Sequence, residues 1–352
     1  GLFFRDQMVR LTRTGVRVFV VRGNHDAASE ITKRLPAVPG VHEFDSRVAG
    51  TIDIPELGVA VHGRSFPDRA VAEDLVPGYP APVPGRFNIG VLHTSLTGNV
   101  DHDPYAPTSE AVLAAKGYDY FALGHIHARQ IVREAHPRIV YPGNLQGRHA
   151  KETGPKGCEL VTVTDGRIVA TEFVALDVVR WHHLALDTAG IDDIDALASR
   201  FHADVRALAA DDAGRLHAIR VTLHGESSLH HVEAAQPGAL AAAIQAATQD
   251  LDNLAVWIEQ VRLELRSPLD RTAAAARPDA FGEVVRLVDE LLADDATLQS
   301  WVAAHLDELP QLPDRFADAT ALSPDAVRTA LLGAEASVLA HLDAAVPPAR
   351  DA

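Results

Sequence analysis

The 352-residue chain is 47% apolar and 23% charged, and its net charge is −16 at neutral pH. That length predicts two or three domains, each with room for a buried core. No run of about 18 apolar residues is present to cross a membrane, no basic-then-apolar leader opens the sequence, and a single cysteine, Cys158, excludes an internal disulfide, so a reducing cytoplasm is the expected compartment.

The charge is uneven. Residues 1–180 carry 20 basic and 20 acidic side chains, and the remaining 12 and 28 supply the whole excess. Nucleic-acid binding draws on clustered Lys and Arg. A phosphate-rich substrate is therefore expected at the neutral first half and not at the acidic second.

The chain opens on "GLFFRDQMVRLTRTG", whose Leu2, Phe3, Met8, Val9 and Leu11 predict an amphipathic helix ended by Gly15. Strands are expected in "VRVFVVRG", "VAVHG", "FNIGVLHTS", "YDYFALGHIH" and "RIVYPGN", from their β-branched content and flanking turns. In "CELVTVTDGRIVATEFVAL" two alternating runs flank Asp165-Gly166, which predicts a hairpin. Helices are expected over 27–35, 70–75 and 109–116. Near Trp181 the character changes. "DIDALASRFHADVRALAA" reads as helix, "RLHAIRVTLHGE" as strand, "PGALAAAIQAATQ" as a helix opened by Pro237, and "LAVWIEQVRLEL" as strand. Beyond Ser267 the Ala-rich sequence predicts helices over 279–293, 296–306 and 324–342. The fold class is α/β, in three parts: 1–180, an αβ domain over 181–266, and a helical region over 267–352.

Four strands of the first part end on polar residues: Gly23-Asn24-His25-Asp26, His62-Gly63, His93-Thr94-Ser95, and Gly124-His125-Ile126-His127. In α/β sheets, ligands bind outside the carboxyl ends of strands. His125 and His127 are two apart, so on an extended backbone they share a face. Neutral imidazole and amide oxygen suit borderline divalent ions, and the preceding glycines let an ion and a phosphate approach the backbone. With 18 histidines in the chain, any one of them alone is weak evidence, but the ordered set after apolar strands predicts a metal site.

"GNHD", "LHTSLTG" and "ALGHIH" resemble three motifs of the calcineurin-like metallophosphoesterases. "VHGRSF", "YDYFALGHIHARQIV", "YPGNLQGRHAKETGPKGCELV" and "DVVRW" resemble one branch, the SbcD-type DNA repair exonucleases and their YhaO-like group. The resemblance implies the four-layer α+β sandwich of that family with a small αβ capping domain over 181–266. It implies two divalent metal ions, with Mn²⁺ expected. Asn24, His93 and His125 would hold one ion and His127 the other. His25 would act on the phosphate as catalytic residue, and Asp26 would orient His25 or cap its turn. The nucleophile would be water. Arg148 and His149 in "NLQGRH" are candidate phosphate or DNA contacts, with Arg22, Arg64, Arg69, Arg129 and Lys151 weaker ones. The family's Asp-x-His and Gly-Asp-x-x-Asp motifs are not found ahead of these. The expectation is therefore an N-terminally truncated fold whose metal site is incomplete and whose activity is impaired.

The resemblance also implies DNA as substrate and an SMC-like ATPase that docks on the C-terminal helices, with a homodimer as a further expectation and no membrane contact. The apolar stripes Phe281, Val284, Val285, Val288, Leu291, Leu292 and Val327, Leu331, Leu332, Val338, Leu339, Leu342 serve either that partner or each other. Two rival functions stand beside the nuclease: a phosphoesterase for small phosphoesters, and a non-catalytic DNA-end or ATPase adaptor.

Overall fold

The computed structural model describes residues 2–27, 37–96, 105–210, 212, 214–251, 253–305 and 323–344. The chain divides into two compact units, Gly1–Arg180 and Trp181–Ala352.

The first unit is built on a mixed six-stranded sheet of order β3-β4-β5-β6-β8-β7. Its strands are β3 (Gly50–Ile54), β4 (Val59–Gly63), β5 (Phe87–His93), β6 (Tyr120–Gly124), β7 (Gln130–Arg133) and β8 (Arg138–Tyr141). The central four, β4, β5, β6 and β8, run parallel, so their carboxyl ends share one edge. Strand alternation sends Leu92, Phe121, Leu123, Ile139 and Tyr141 into one core. Phe87, Tyr120 and Val140 go into another, which is covered by Val161, Val163 and Ile168 of the hairpin β9 (Gly157–Thr164) and β10 (Arg167–Ala175). The hairpin turns on Asp165 (φ +49°) and Gly166 (φ +70°), the two positive φ values that a type I′ turn demands. A separate two-stranded parallel sheet pairs β1 (Val18–Val20) with β2 (Val41–Glu43). It follows α1 (Leu2–Arg13), the expected amphipathic helix, which buries no residue.

One expectation is corrected here. Residues 70–75 form no helix. The stretch lies between Pro67 and Pro77, and tertiary partners claim its polar groups. Asp74 accepts from the Val76 N–H at 2.9 Å and from Thr108 Oγ1 at 2.9 Å, and Val71 O accepts from the Ala106 N–H at 2.6 Å. The expected helix over 109–116 forms as α2 (Glu110–Ala115), capped by the Ser109 side chain. The helix expected over 27–35 lies, after residue 27, outside the described residues.

The second unit has a three-stranded sheet, β11 (Val179–Asp187), β12 (Leu216–Glu226) and β13 (Ala255–Arg266), in that order, with β11 running in from the first unit. Helices α3 (Ile194–Leu208), α4 (Leu229–Ala235) and α5 (Ala239–Ala247) supply its core with Leu197, Phe201, Leu229, Leu240 and Ile244, all fully buried. Phe201→Ala removes a fully enclosed ring and is expected to destabilise this unit by about 3–5 kcal/mol. Urea unfolding followed by Trp181 and Trp257 fluorescence checks it. The unit continues through α6 (Arg271–Ala275), α7 (Ala280–Leu292), α8 (Asp295–His305) and α9 (Pro324–Ala344). The apolar stripes of α7 and α9 pack on each other through Phe281, Val285 and Leu339, with Val284 and Leu342 beside them. Arg271 ties the pair together, donating to Glu335 at 2.8 and 3.0 Å and to Asp289 at 2.9 Å. Among the described residues no helix is long and apolar enough to cross a membrane.

Candidate metal centre

Each side chain of the site rides on the end of a strand or on the turn after it. Past β1 the chain is pinned by backbone bonds: the Arg22 N–H donates to Ser65 Oγ at 3.0 Å, and the Phe66 N–H donates to Arg22 O at 2.9 Å. A single helical turn, Asn24–Ala27, follows. Asn24 is buried in it, while His25 and Asp26 are exposed. Asp26 Oδ2 accepts from the Gly23 N–H at 3.4 Å, across the start of that turn. The carboxyl ends of β5 and β6 are joined where the Thr94 N–H donates to Gly124 O at 3.2 Å, and Tyr141 Oη donates to Thr94 O at 2.9 Å. This rigid edge presents His93 and His125.

The edge opens into a cavity of about 450 Å³ lined by Asn24, His25, His93, His125 and His127, with Glu152, Lys156, His149 and Lys151 on its other side. Asn24 Oδ1 lies 3.0 Å from His93 Nε2. The His93 and His125 rings meet edge to face at 5.3 Å between centroids, and Phe66 and Tyr105 pack on them at 5.1 and 5.5 Å. Burial, with the neighbouring His125, His25 and His127 rings, pushes the His93 imidazole down to about 4. His93 is thus neutral and carries a ligating lone pair at physiological pH.

His125 has φ +110°, a backbone value rare for a residue with a Cβ. His125 and His127 therefore do not share a face of an extended strand; they lie on the turn after β6 and reach one cavity through its irregular backbone. Such strained positions cluster at functional sites. His62, grouped with the strand-end histidines by sequence, is not in the site. It pairs in register with Gly90, an odd number of residues from His93, so alternation turns it to the opposite face. There it is fully buried, bonded to Thr51 Oγ1 at 2.8 Å and Asn88 Oδ1 at 3.0 Å, and stacked on Tyr118.

The donor set fits a divalent ion on the Asn24 side. Two ligands of one octahedral ion at about 2.1 Å and right angles lie about 3 Å apart, which is the Asn24–His93 separation. Among the described residues no three His, Cys, Asp or Glu side chains are placed to chelate one ion, so the amide oxygen is part of any set here.

Two residues that sequence reading did not single out complete the cavity. Glu152 is buried. Burial raises its pKa, but the Arg148 N–H, the His127 ring and the Asn144 amide outweigh this and hold the carboxyl at about 2. Lys156 is also buried, and its Nζ donates to His127 O at 3.4 Å. Their signal was faint: both lie in the Gly-rich segment after β8 that carries Arg148 and His149. Both are exposed and each lies 3.6 Å from Glu152 Oε1; of the two, His149 lines the cavity. Two of the other candidate phosphate contacts are already engaged. Arg22 is paired with Glu43. Arg129 is held by both oxygens of Glu159 and lies over the Phe173 ring.

Residues 4–166 match the calcineurin-like phosphoesterase superfamily domain, and residues 181–266 match the middle domain of metallophosphoesterase YhaO. The chain is similar to the uncharacterized metallophosphoesterase YhaO of Bacillus subtilis (strain 168), 39% identical over 199 residues, which is 56% of this chain and 48% of that protein. The chain thus spans about half the length of the curated relative it matches.

Proposed function

We propose, from the premise that residues 4–166 form a calcineurin-like metallophosphoesterase domain, that its chemistry is directed at the phosphodiester bonds of DNA, with the activity of this chain impaired for want of the Asp-x-His and Gly-Asp-x-x-Asp ligands. One observation carries the reading: Asn24, His93, His125 and His127, brought from three strand ends, line one open cavity, with the exposed His25 beside them. Asn24, His93 and His125 would hold one divalent ion and His127 would contribute to holding a second, with Mn²⁺ the expected metal. Bound there, such ions supply Lewis-acid stabilisation and lower the pKa of water. His25 gives a proton to the leaving oxygen or donates to a non-bridging one. His149 and Lys151 at the cavity, with Arg148 beside Glu152, meet the flanking phosphates, which is why a polymer is favoured over a small ester. The reading extends to a coiled-coil ATPase partner at α7 and α9, where Leu287, Leu332 and Val338 stay exposed.

Calorimetric titration with Mn²⁺, paired with hydrolysis of DNA and of a small phosphomonoester, tests this. His93→Ala is expected to weaken Mn²⁺ binding by at least the ~10–100-fold that loss of an outer-shell partner costs, and to abolish DNA cleavage. Cleavage of the small ester alone would move the assignment to a phosphatase. Wild-type binding no ion would leave the adaptor role.

A further inference from the structure

Glu152 lies in the segment between β8 and β9, 25 residues from His127, and its side chain is only 6% exposed. Both of its oxygens are occupied. Oε1 lies 2.6 Å from His127 Nδ1. Oε2 accepts from Asn144 Nδ2 at 3.0 Å and from the Arg148 N–H at 2.7 Å. A carboxylate that accepts from several donors is in its ionised form. Two lone pairs do not rest 2.6 Å apart, so a proton lies between Oε1 and the imidazole, and it belongs to Nδ1. In the neutral imidazole that leaves the other ring nitrogen, Nε2, with the lone pair. His127 O is also held, by the Asn144 N–H at 3.1 Å and by Lys156 Nζ. One short segment, 144–156, therefore grips both ends of His127.

We infer that Glu152 is a positioning residue for His127: it fixes the Nδ1–H tautomer and the ring orientation, so that Nε2 offers its lone pair to an ion in the cavity. This rests on the reading of the cavity as a metal centre. Glu152 is not itself a chelating ligand here, because its oxygens are committed to the ring, the amide and the backbone. Hydrogen-bonded carboxylates behind ligating histidines raise their basicity, and their loss typically costs 10–100-fold in metal affinity.

Long-range ¹H–¹⁵N correlation spectra of the metal-free full chain at neutral pH read the tautomer directly. The His127 signals are identified by their loss in His127→Gln. Wild type is expected to show a protonated Nδ1 and an unprotonated Nε2, and Glu152→Ala an average over both tautomers. Calorimetry is expected to show ion binding weakened about 10–100-fold in Glu152→Ala and Glu152→Gln, with partial recovery in Glu152→Asp. An Nε2–H ring in wild type overturns the inference, and that spectrum decides whether or not the variants fold. Unchanged ion affinity in folded Glu152→Gln overturns it as well. A wild-type chain with the expected tautomer that binds no ion overturns the metal-centre reading, and with it the ligand role given to His127, while the Glu152–His127 contact stands.

Discussion

His25→Ala is expected to lower the rate of phosphodiester hydrolysis by about 10²–10⁴-fold, the usual contribution of a positioned proton donor, while Mn²⁺ binding stays unchanged. The asymmetry follows from placement. Asn24 is buried and within 3.0 Å of His93, whereas His25, one residue on, is exposed on the same turn and lines the open side of the cavity. The loss is expected to shrink for a diester with a nitrophenolate leaving group, which departs without a proton. Steady-state kinetics on both substrates, with calorimetry for the ion, checks the claim. An equal loss on both would assign His25 to charge stabilisation, and no loss on either would remove it from the reaction.

Gly23→Ala is expected to disable the site from behind. A Cβ at residue 23 would stand 2.4 Å from His93 Cε1, 2.5 Å from Nδ1 and 2.8 Å from Nε2. The ring has little room to yield. Phe66 packs against it, and on another side even a Cβ at Gly124 would lie only 3.0 Å from His93 Nδ1. Either the turn carrying Asn24 moves out or His93 leaves Asn24. The expected cost is about 1–3 kcal/mol of overpacking, with ion binding lowered at least tenfold, read by urea unfolding and Mn²⁺ calorimetry on one preparation. Wild-type affinity in folded Gly23→Ala would mean that His93 does not face the ion.

The two predictions bear differently on sequence and structure. His25 was legible because a strand followed by Gly-Asn-His-Asp concentrates its chemistry in contiguous residues, and a local pattern survives without knowledge of the fold. The same holds for the hairpin at Asp165-Gly166, where the turn type demands those residues, and for α7, whose apolar stripe repeats at helical spacing. Gly23 was legible only as a small residue. That its missing Cβ is the room occupied by His93, 70 positions along the chain, is a fact of packing.

Where the outcome depended on tertiary contacts, sequence reading went astray or fell silent. Residues 70–75 have helical spacing, but Asp74 and the Val71 carbonyl find better partners in Thr108 and Ala106. His62 ends a strand as His93 does, yet the register of β4 against β5 turns it into the core, because side chains alternate with a period of 2 and a strand end carries no label for its face. His125 and His127 line one cavity by a route other than the expected one, since a positive φ at His125, not an extended backbone, brings them there. Glu152 was missed because nothing local marks it. Its meaning comes from the 2.6 Å contact with His127 across a chain reversal. By itself the sequence determined which chemistry the strand ends carry and where the elements begin, since both are set by neighbours in the chain. Only the tertiary structure decided which of those side chains share a cavity and what holds them there, since that depends on register, close approach and hydrogen bonds between residues far apart in sequence.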